Sequence, residues 1–170
     1  MANTYVQIGS TVTVGAGSAA TISFSSIPST YTDLVLKMST RSSGQESGNT
    51  WDNMSIQFNG SSASFTARDL YGLGSSAGSG TFVTGGMANG NNATASTFSS
   101  VDLYVPNYAG STNKSFSVDA VTENNSTVAI QLLSAGLWSN TAAITSITFG
   151  LVTNSYVQYS TATLYGISNS

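Results

Sequence analysis

The chain has 170 residues, enough for one domain with a sizeable core, and only 6% of them are charged, against roughly 25% in typical globular domains. Four basic and seven acidic side chains leave a net charge of −3. That balance excludes the basic stripe that nucleic-acid binding needs and the polybasic patch that an anionic membrane needs. There is no cysteine and no histidine, so disulfides, thiolate metal sites, Ser-His-Asp triads and Cys-His pairs are excluded too. The apolar fraction, 40%, is that of a folded chain, and its surface has to be built from Ser, Thr, Asn, Gln and Gly. The opening MANTYVQIGS lacks the basic and apolar regions of a secretory signal, and no apolar run is long enough to span a bilayer.

In chain order, alternation of apolar and polar residues predicts a succession of short strands. Residues 4–14 predict two short strands broken at Gly9-Ser10, followed by a small-residue turn at 16–20. Residues 20–25 predict a strand with Ile22 and Phe24 inward, and 33–39 one with Leu34, Leu36 and Met38 inward and Asp33 and Lys37 outward. After a polar loop at 41–50, residues 53–58 predict a strand with Met54, Ile56 and Phe58 inward, ended by Asn59-Gly60, the strongest short hairpin signal. Residues 65–71 form a weaker strand, and 72–95 a long Gly/Ser/Asn-rich loop or excursion with one further strand at 81–84. Strands at 98–105 (Val101, Leu103 and Val105 inward) and 115–122 (Phe116, Val118 and Ala120 inward) flank a turn at 106–110.

No charged residue follows Glu123, and residues 126–167 contain three alternating runs. These are Val128, Ile130 and Leu132; then Ile147, Phe149 and Leu151; then Val157, Tyr159, Thr163, Tyr165 and Ile167. They predict three successive antiparallel strands closing one sheet, with turns at 138–141 and 153–155, and with the upstream strands supplying the facing sheet. With about ten short strands and no amphipathic helix, the pattern is all-β: a two-sheet antiparallel β-sandwich, jelly-roll-like, in a single domain over 1–170. The first and last strands are expected to pair.

The motifs carry little chemistry. Gly15, Gly17 and Ala20 match the dinucleotide fingerprint in spacing, but a strand follows, where that motif requires a helix N-terminus. The carboxylates Asp33, Glu46, Asp52, Asp69, Asp102, Asp119 and Glu123 each stand alone in sequence, whereas glycoside hydrolysis needs two flanking a cleft. No catalytic residue, cofactor or side-chain metal site is therefore predicted. A calcium ion held by backbone carbonyls would leave no trace in the sequence and stays open. The N-x-S/T triplets Asn92-Ala93-Thr94 and Asn125-Ser126-Thr127 carry no weight in a chain of this composition. Trp138, Tyr104, Tyr108 and Tyr71 fall at strand ends, on outer parity or in turns. They are the candidate contacts for a subunit interface or a glycan; alternatively, Trp138 and Trp51 cap the ends of the sandwich.

Six phrases together carry a resemblance: SSIPSTYTDLVLKMSTRS (25–42), MSIQFNGSS (54–62), RDLYGLGSSAG (68–78), DLYVPNYAGSTNKSFSVDAVTENN (102–125), LWSNTAAITSITF (137–149) and VQYSTATLYGIS (157–168). The chain resembles a group of small virion-surface proteins of tailed bacteriophages, especially phages of marine bacteria and cyanobacteria. The resemblance implies a non-enzymatic β-sandwich on the particle, as capsid decoration or as part of a tail fibre, made in the host cytoplasm. Its implied partners are other phage capsid or tail proteins and further copies of itself, for instance in a trimer. A receptor-binding module for host surface glycan is the alternative. No repeat, heptad stalk or extra anchoring domain is present, which favours the head over a long fibre.

Overall fold

The computed structural model describes residues 5–82, 84–125 and 128–168. Thr4, Val83, Ser126 and Thr127, which belong to the expected first strand, the expected 81–84 strand, the second glycosylation triplet and the closing stretch, lie outside the described residues. Among the described residues there is no helix, and the strands are β1 (Val6–Thr13), β2 (Thr21–Phe24), β3 (Asp33–Thr40), β4 (Trp51–Phe58), β5 (Phe65–Leu73), β6 (Ser76–Gly80), β7 (Met87–Asn89), β8 (Ser99–Val105), β9 (Lys114–Val121), β10 (Ile130–Trp138), β11 (Ile147–Leu151) and β12 (Thr161–Ile167). They form two antiparallel sheets packed as a sandwich. The eight-stranded sheet runs β1-β12-β3-β8-β9-β10-β5-β6, and the four-stranded sheet runs β2-β11-β4-β7.

Alternation explains the core. Ile22, Phe24, Met54, Ile56, Phe58, Ile147 and Phe149 of the smaller sheet face Leu34, Leu36, Met38, Val101, Leu103, Phe116, Val118, Leu132 and Leu164 of the larger, all buried. Burying each such side chain contributes about 1.5–3 kcal/mol. The two ends of the sandwich differ in character. At one end Phe58, Phe65, Phe116 and Trp138 form an aromatic cluster with ring centroids 5.4–6.1 Å apart. At the other, Thr40, Ser42, Asp52, Asn89, Ser99, Asn124 and Ser160 are buried polar groups.

The connections depart from the sequence reading. The last three strands do not close one sheet: β10 lies between β9 and β5, β11 between β2 and β4, and β12 between β1 and β3. The facing sheet is accordingly not supplied by upstream strands alone. Every strand from β1 to β5 changes sheet, so strands adjacent in sequence are neighbours mainly in the β5–β6 and β8–β9–β10 hairpins. Asn59 and Gly60 do adopt the two positive φ angles of a tight turn, 53° and 74°, and Phe58 and Ser61 exchange both backbone bonds. The chain then leaves for the other sheet, so no β4–β5 hairpin forms.

In β12 the inward residues are Ala162, Leu164 and Gly166, not Thr163, Tyr165 and Ile167. Tyr165 instead lies on the outer side, with its ring edge-on to Tyr5 at 6.1 Å. Gly9 (φ 68°) bends β1 in a bulge between Ile8 and Val12 rather than dividing it in two. The 72–95 excursion is built: it holds the end of β5, all of β6 and β7, and a buried run from Thr84 to Gly90, with no strand at 81–84 among its described residues. The expected pairing of the first and last strands is present as β1 on β12.

Candidate functional site

Five of the exposed or half-exposed charges, Asp33, Lys37, Arg68, Asp102 and Asp119, sit on the outer face of the eight-stranded sheet. Its registers set Thr163, Lys37, Asp102, Asp119, Leu133, Leu70 and Ser79 side by side across β12, β3, β8, β9, β10, β5 and β6. The adjacent row carries Tyr165, Val35, Tyr104, Ser117, Ala135 and Arg68. These rows and Tyr5 border an open groove of about 1000 Å³. Leu70 (64% exposed), Leu133 (49%), Tyr5 (55%) and Tyr104 (39%) present apolar surface there. These exposed apolar side chains are grouped along one groove rather than scattered singly.

The electrostatics of the groove are specific. Lys37 Nζ lies 2.5 Å from Asp102 Oδ2, with both side chains about half-exposed. The Asp102 hydrogen bond raises the Lys37 pKa most, against a smaller lowering by burial. Asp119 stands directly opposite Asp102 on the next strand, a pair that sequence order, 17 positions apart on separate strands, did not reveal. Two neighbouring carboxylates invite comparison with a glycosidase. However, Asp102 is engaged by the Lys37 ammonium, and the groove is open rather than closed around a scissile bond. Tyr104 donates from its hydroxyl to Asp33 Oδ2 (2.9 Å), whose other oxygen accepts from the Asn107 N–H (2.9 Å). That hydrogen bond, then burial, raises the Tyr104 pKa.

Of the four aromatic candidates, Tyr104 lies in the groove, and Tyr71 is half-buried on the inner side of β5 against Gly78. Trp138 and Tyr108 are corrected. Trp138 is 1% exposed within the aromatic cluster, as the end-capping reading has it, and Trp51 is buried as well. Tyr108, although it lies in the 106–110 turn, is wholly buried and its hydroxyl donates to the Pro28 carbonyl. Neither can touch a partner or a sugar on this surface.

Two of the four cations are held in loops. The Arg41 guanidinium donates to the carbonyls of Asn91, Ala93, Thr94 and Thr97 and to Thr97 Oγ1, at 2.9–3.3 Å. Burial lowers its pKa. These carbonyls converge as they would around a backbone-coordinated cation, and the guanidinium fills that place. Lys114, 1% exposed, donates to the carbonyls of Gly110, Thr112 and Thr141, and burial lowers its pKa. Among the described residues no three His, Cys, Asp or Glu side chains come together to hold a metal. Asp52, buried, accepts from Ser42 Oγ (2.8 Å) and Asn154 Nδ2 (2.7 Å), which ties two loops together. Burial, and then the Asp52 charge, raises the pKa of the buried Tyr156 hydroxyl.

The chain matches no family model, no curated protein and no solved structure.

Proposed function

We propose that this chain is a non-enzymatic structural protein of the bacteriophage particle surface, most simply a decoration of the head, held there by protein–protein contacts through the outer face of its eight-stranded sheet. The observation that carries the contact role is the deployment of charge. Arg41 and Lys114 donate to loop carbonyls, Arg68 to the Ala67 carbonyl of its own strand and Lys37 to Asp102, so each of the four cations has an acceptor. A surface so weakly charged can be covered by neighbours without the cost of burying unpaired ions. The particle itself is supported by the six phrases that resemble virion-surface proteins. Copies repeated on a lattice of symmetric positions would suffer little mutual repulsion.

A second reading has its own observation. Tyr104 and Tyr5 lie beside Lys37, Asp102 and Asp119 in the groove, a combination of stacking surface and polar groups that suits a host surface glycan. Electron microscopy of intact particles labelled with specific antibody tests both. Label spread over the head supports decoration, label at the tail tip transfers the leading role to host attachment, and unlabelled particles overturn the particle reading. Leu133→Glu is expected to reduce incorporation into particles under the first reading. Under the second, Tyr104→Ala reduces adsorption and leaves incorporation intact.

A further inference from the structure

The two sheets end in four edge strands, and three of them are guarded. β1 carries the bulge at Gly9; β2 has four residues; β7 has three, all buried. Bulges, shortness and coverage are the usual protections of an edge, together with charge and proline. β6, at five residues one longer than β2, has no bulge, cover, charge or proline. It pairs with β5 without a shift from Asp69↔Gly80 to Leu73↔Ser76, contains no charged residue and no proline, and among the described residues nothing pairs with its outer side. Alternate N–H and C=O groups of β6 therefore point away from the sheet and remain available for a further strand.

The surroundings of β6 fit an added strand. Its inner side is Ser76, Gly78 and Gly80, opposite Leu73, Tyr71 and Asp69. A Cβ on Gly78 would lie 2.6 Å from the Tyr71 ring, and one on Gly80 would lie 2.6 Å from the Phe82 ring. Two rings thus lie against the glycines, and Phe82 is left 63% exposed beside the edge. The turn residue Gly74 (φ 56°) and Ser75 close the β5–β6 hairpin tightly, so the edge is presented by a short, stiff connection.

We infer that the free edge of β6 is a strand-pairing site for a second copy of this chain, giving a two-fold dimer in which β6 lies antiparallel to its symmetry mate. Pairing about Gly78 sets Ala77 opposite Ser79 of the second copy on the outer face. On the inner face it sets Ser76 opposite Gly80 and Gly78 opposite Gly78. No two charges meet, nothing larger than Ser opposes itself, and the glycines leave room for the Phe82 ring of each copy over the seam. A charged peptide would find no complementary charge on β6, whereas the strand is complementary to itself. Pairing of this kind closes after two copies; open growth from β6 onto the next copy's β1 is blocked by the β1 bulge. The inference goes beyond the particle reading and needs only the edge itself.

The test is the mass of the full chain in solution by light scattering or sedimentation. A dimer is expected. Ala77→Lys with Ser79→Lys, both on the exposed outer side, brings ammonium groups together across the seam and is expected to halve the mass while circular dichroism stays unchanged. Ala77→Glu with Ser79→Glu does the same, and mixing the two variants restores a dimer. Ala77→Cys with Ser79→Cys is expected to form a disulfide-linked dimer on oxidation. A wild-type chain that stays monomeric at every concentration, a dimer that survives the paired lysines, or a mixture that stays monomeric overturns the inference. The cysteine variant keeps it falsifiable if the lysine variant fails to fold, because absence of the cross-link then overturns it.

Discussion

Replacing Trp138 with alanine should cost a substantial part of a typical domain's margin of stability. The indole is 1% exposed, stacked on Phe65 at 6.1 Å and edge-on to Phe58 at 5.5 Å. Burial of about 200 Å² at about 25 cal/mol per Å² amounts to roughly 5 kcal/mol, and large-to-small aromatic replacements in cores measure about 3–5 kcal/mol. One effect opposes this. The buried indole Nε1 has no hydrogen-bond partner, so its removal relieves a penalty of about 1 kcal/mol. A net loss of about 3–4 kcal/mol remains, against a total of about 5–15 for a domain. Urea unfolding followed by circular dichroism measures it, and Trp138→Phe should lose roughly half as much. A Trp138→Ala change within about 0.5 kcal/mol of wild type, as an exposed residue would give, would refute the core placement. The same arithmetic disqualifies Trp138→Ala as a probe of function, because a loss of assembly or adsorption would report unfolding. Tyr104 is the aromatic to mutate for that purpose.

Arg41→Lys retains the charge but cannot hold the fan of acceptors from Asn91 to Thr97. Amide exchange should accelerate selectively in that loop, and unchanged protection there would refute the conclusion that the guanidinium holds it. Gly136→Ala drives a Cβ into the Phe116 ring and should cost about 1–3 kcal/mol by overpacking, read as a lowered urea midpoint; a neutral result would show that the aromatic cluster yields. Stability should be flat from about pH 6 to about pH 8, since there is no histidine and no other side chain ordinarily titrates there. Burial raises the pKa of Tyr108 and Tyr156 when folded, above the ordinary value near 10. Their stabilisation is therefore complete below that value and is lost as pH rises through it towards the folded-state values. Tyr156→Phe removes a buried hydroxyl without a partner and should be neutral to about 1 kcal/mol stabilising at pH 7, with a smaller decline above pH 10. A clear destabilisation at pH 7 would mean that the hydroxyl is satisfied.

The strands themselves were legible, because β8, β9 and β11, and β3 and β4 apart from Val35 and Asp52, bury alternate residues more deeply than those between. Their sheet membership was not, since alternation states that a strand has an inner face but not which sheet owns it. Some errors lay in signals that were present. Stepping by two from Ile130 reaches Leu132, Ser134, Gly136 and Trp138, all buried; the polar Ser134 and the small Gly136 interrupted the apolar pattern and concealed that Trp138 points inward. Asp69 likewise shares its parity with Ala67 and Tyr71, and its buried carboxylate, which accepts from the Phe82 N–H at 2.5 Å, made β5 look weak. Gly74-Ser75 marks the β5–β6 hairpin within the Gly/Ser/Asn-rich stretch 72–95. Other features had no local signal. The acceptors of Arg41 lie at least 50 positions downstream, and the Lys37–Asp102–Asp119 row exists only through strand pairing.

The inferred edge and the outer face bear on each other through the same registers. Leu70 neighbours Ser79, one strand from the free edge, and Leu133 neighbours Leu70, while Lys37, Asp102 and Asp119 lie farther along the row. Joining two copies at β6 would therefore place both pairs of leucines around the two-fold axis and both sets of charges at the outer ends of one continuous face. A partner laid on that face would bury the leucines and meet Arg68 beside them on β5, a cation it would have to answer with an acceptor, and would leave Lys37, Asp102 and Asp119 at a wet rim. The opposite arrangement would bury the Lys37–Asp102 pair together with Asp119, and the excess carboxylate would then lack a counter-charge, at a cost of several kcal/mol. The distribution of a few charges along one row thus fixes which part of the sheet can be covered, and it is the part beside the one unguarded edge.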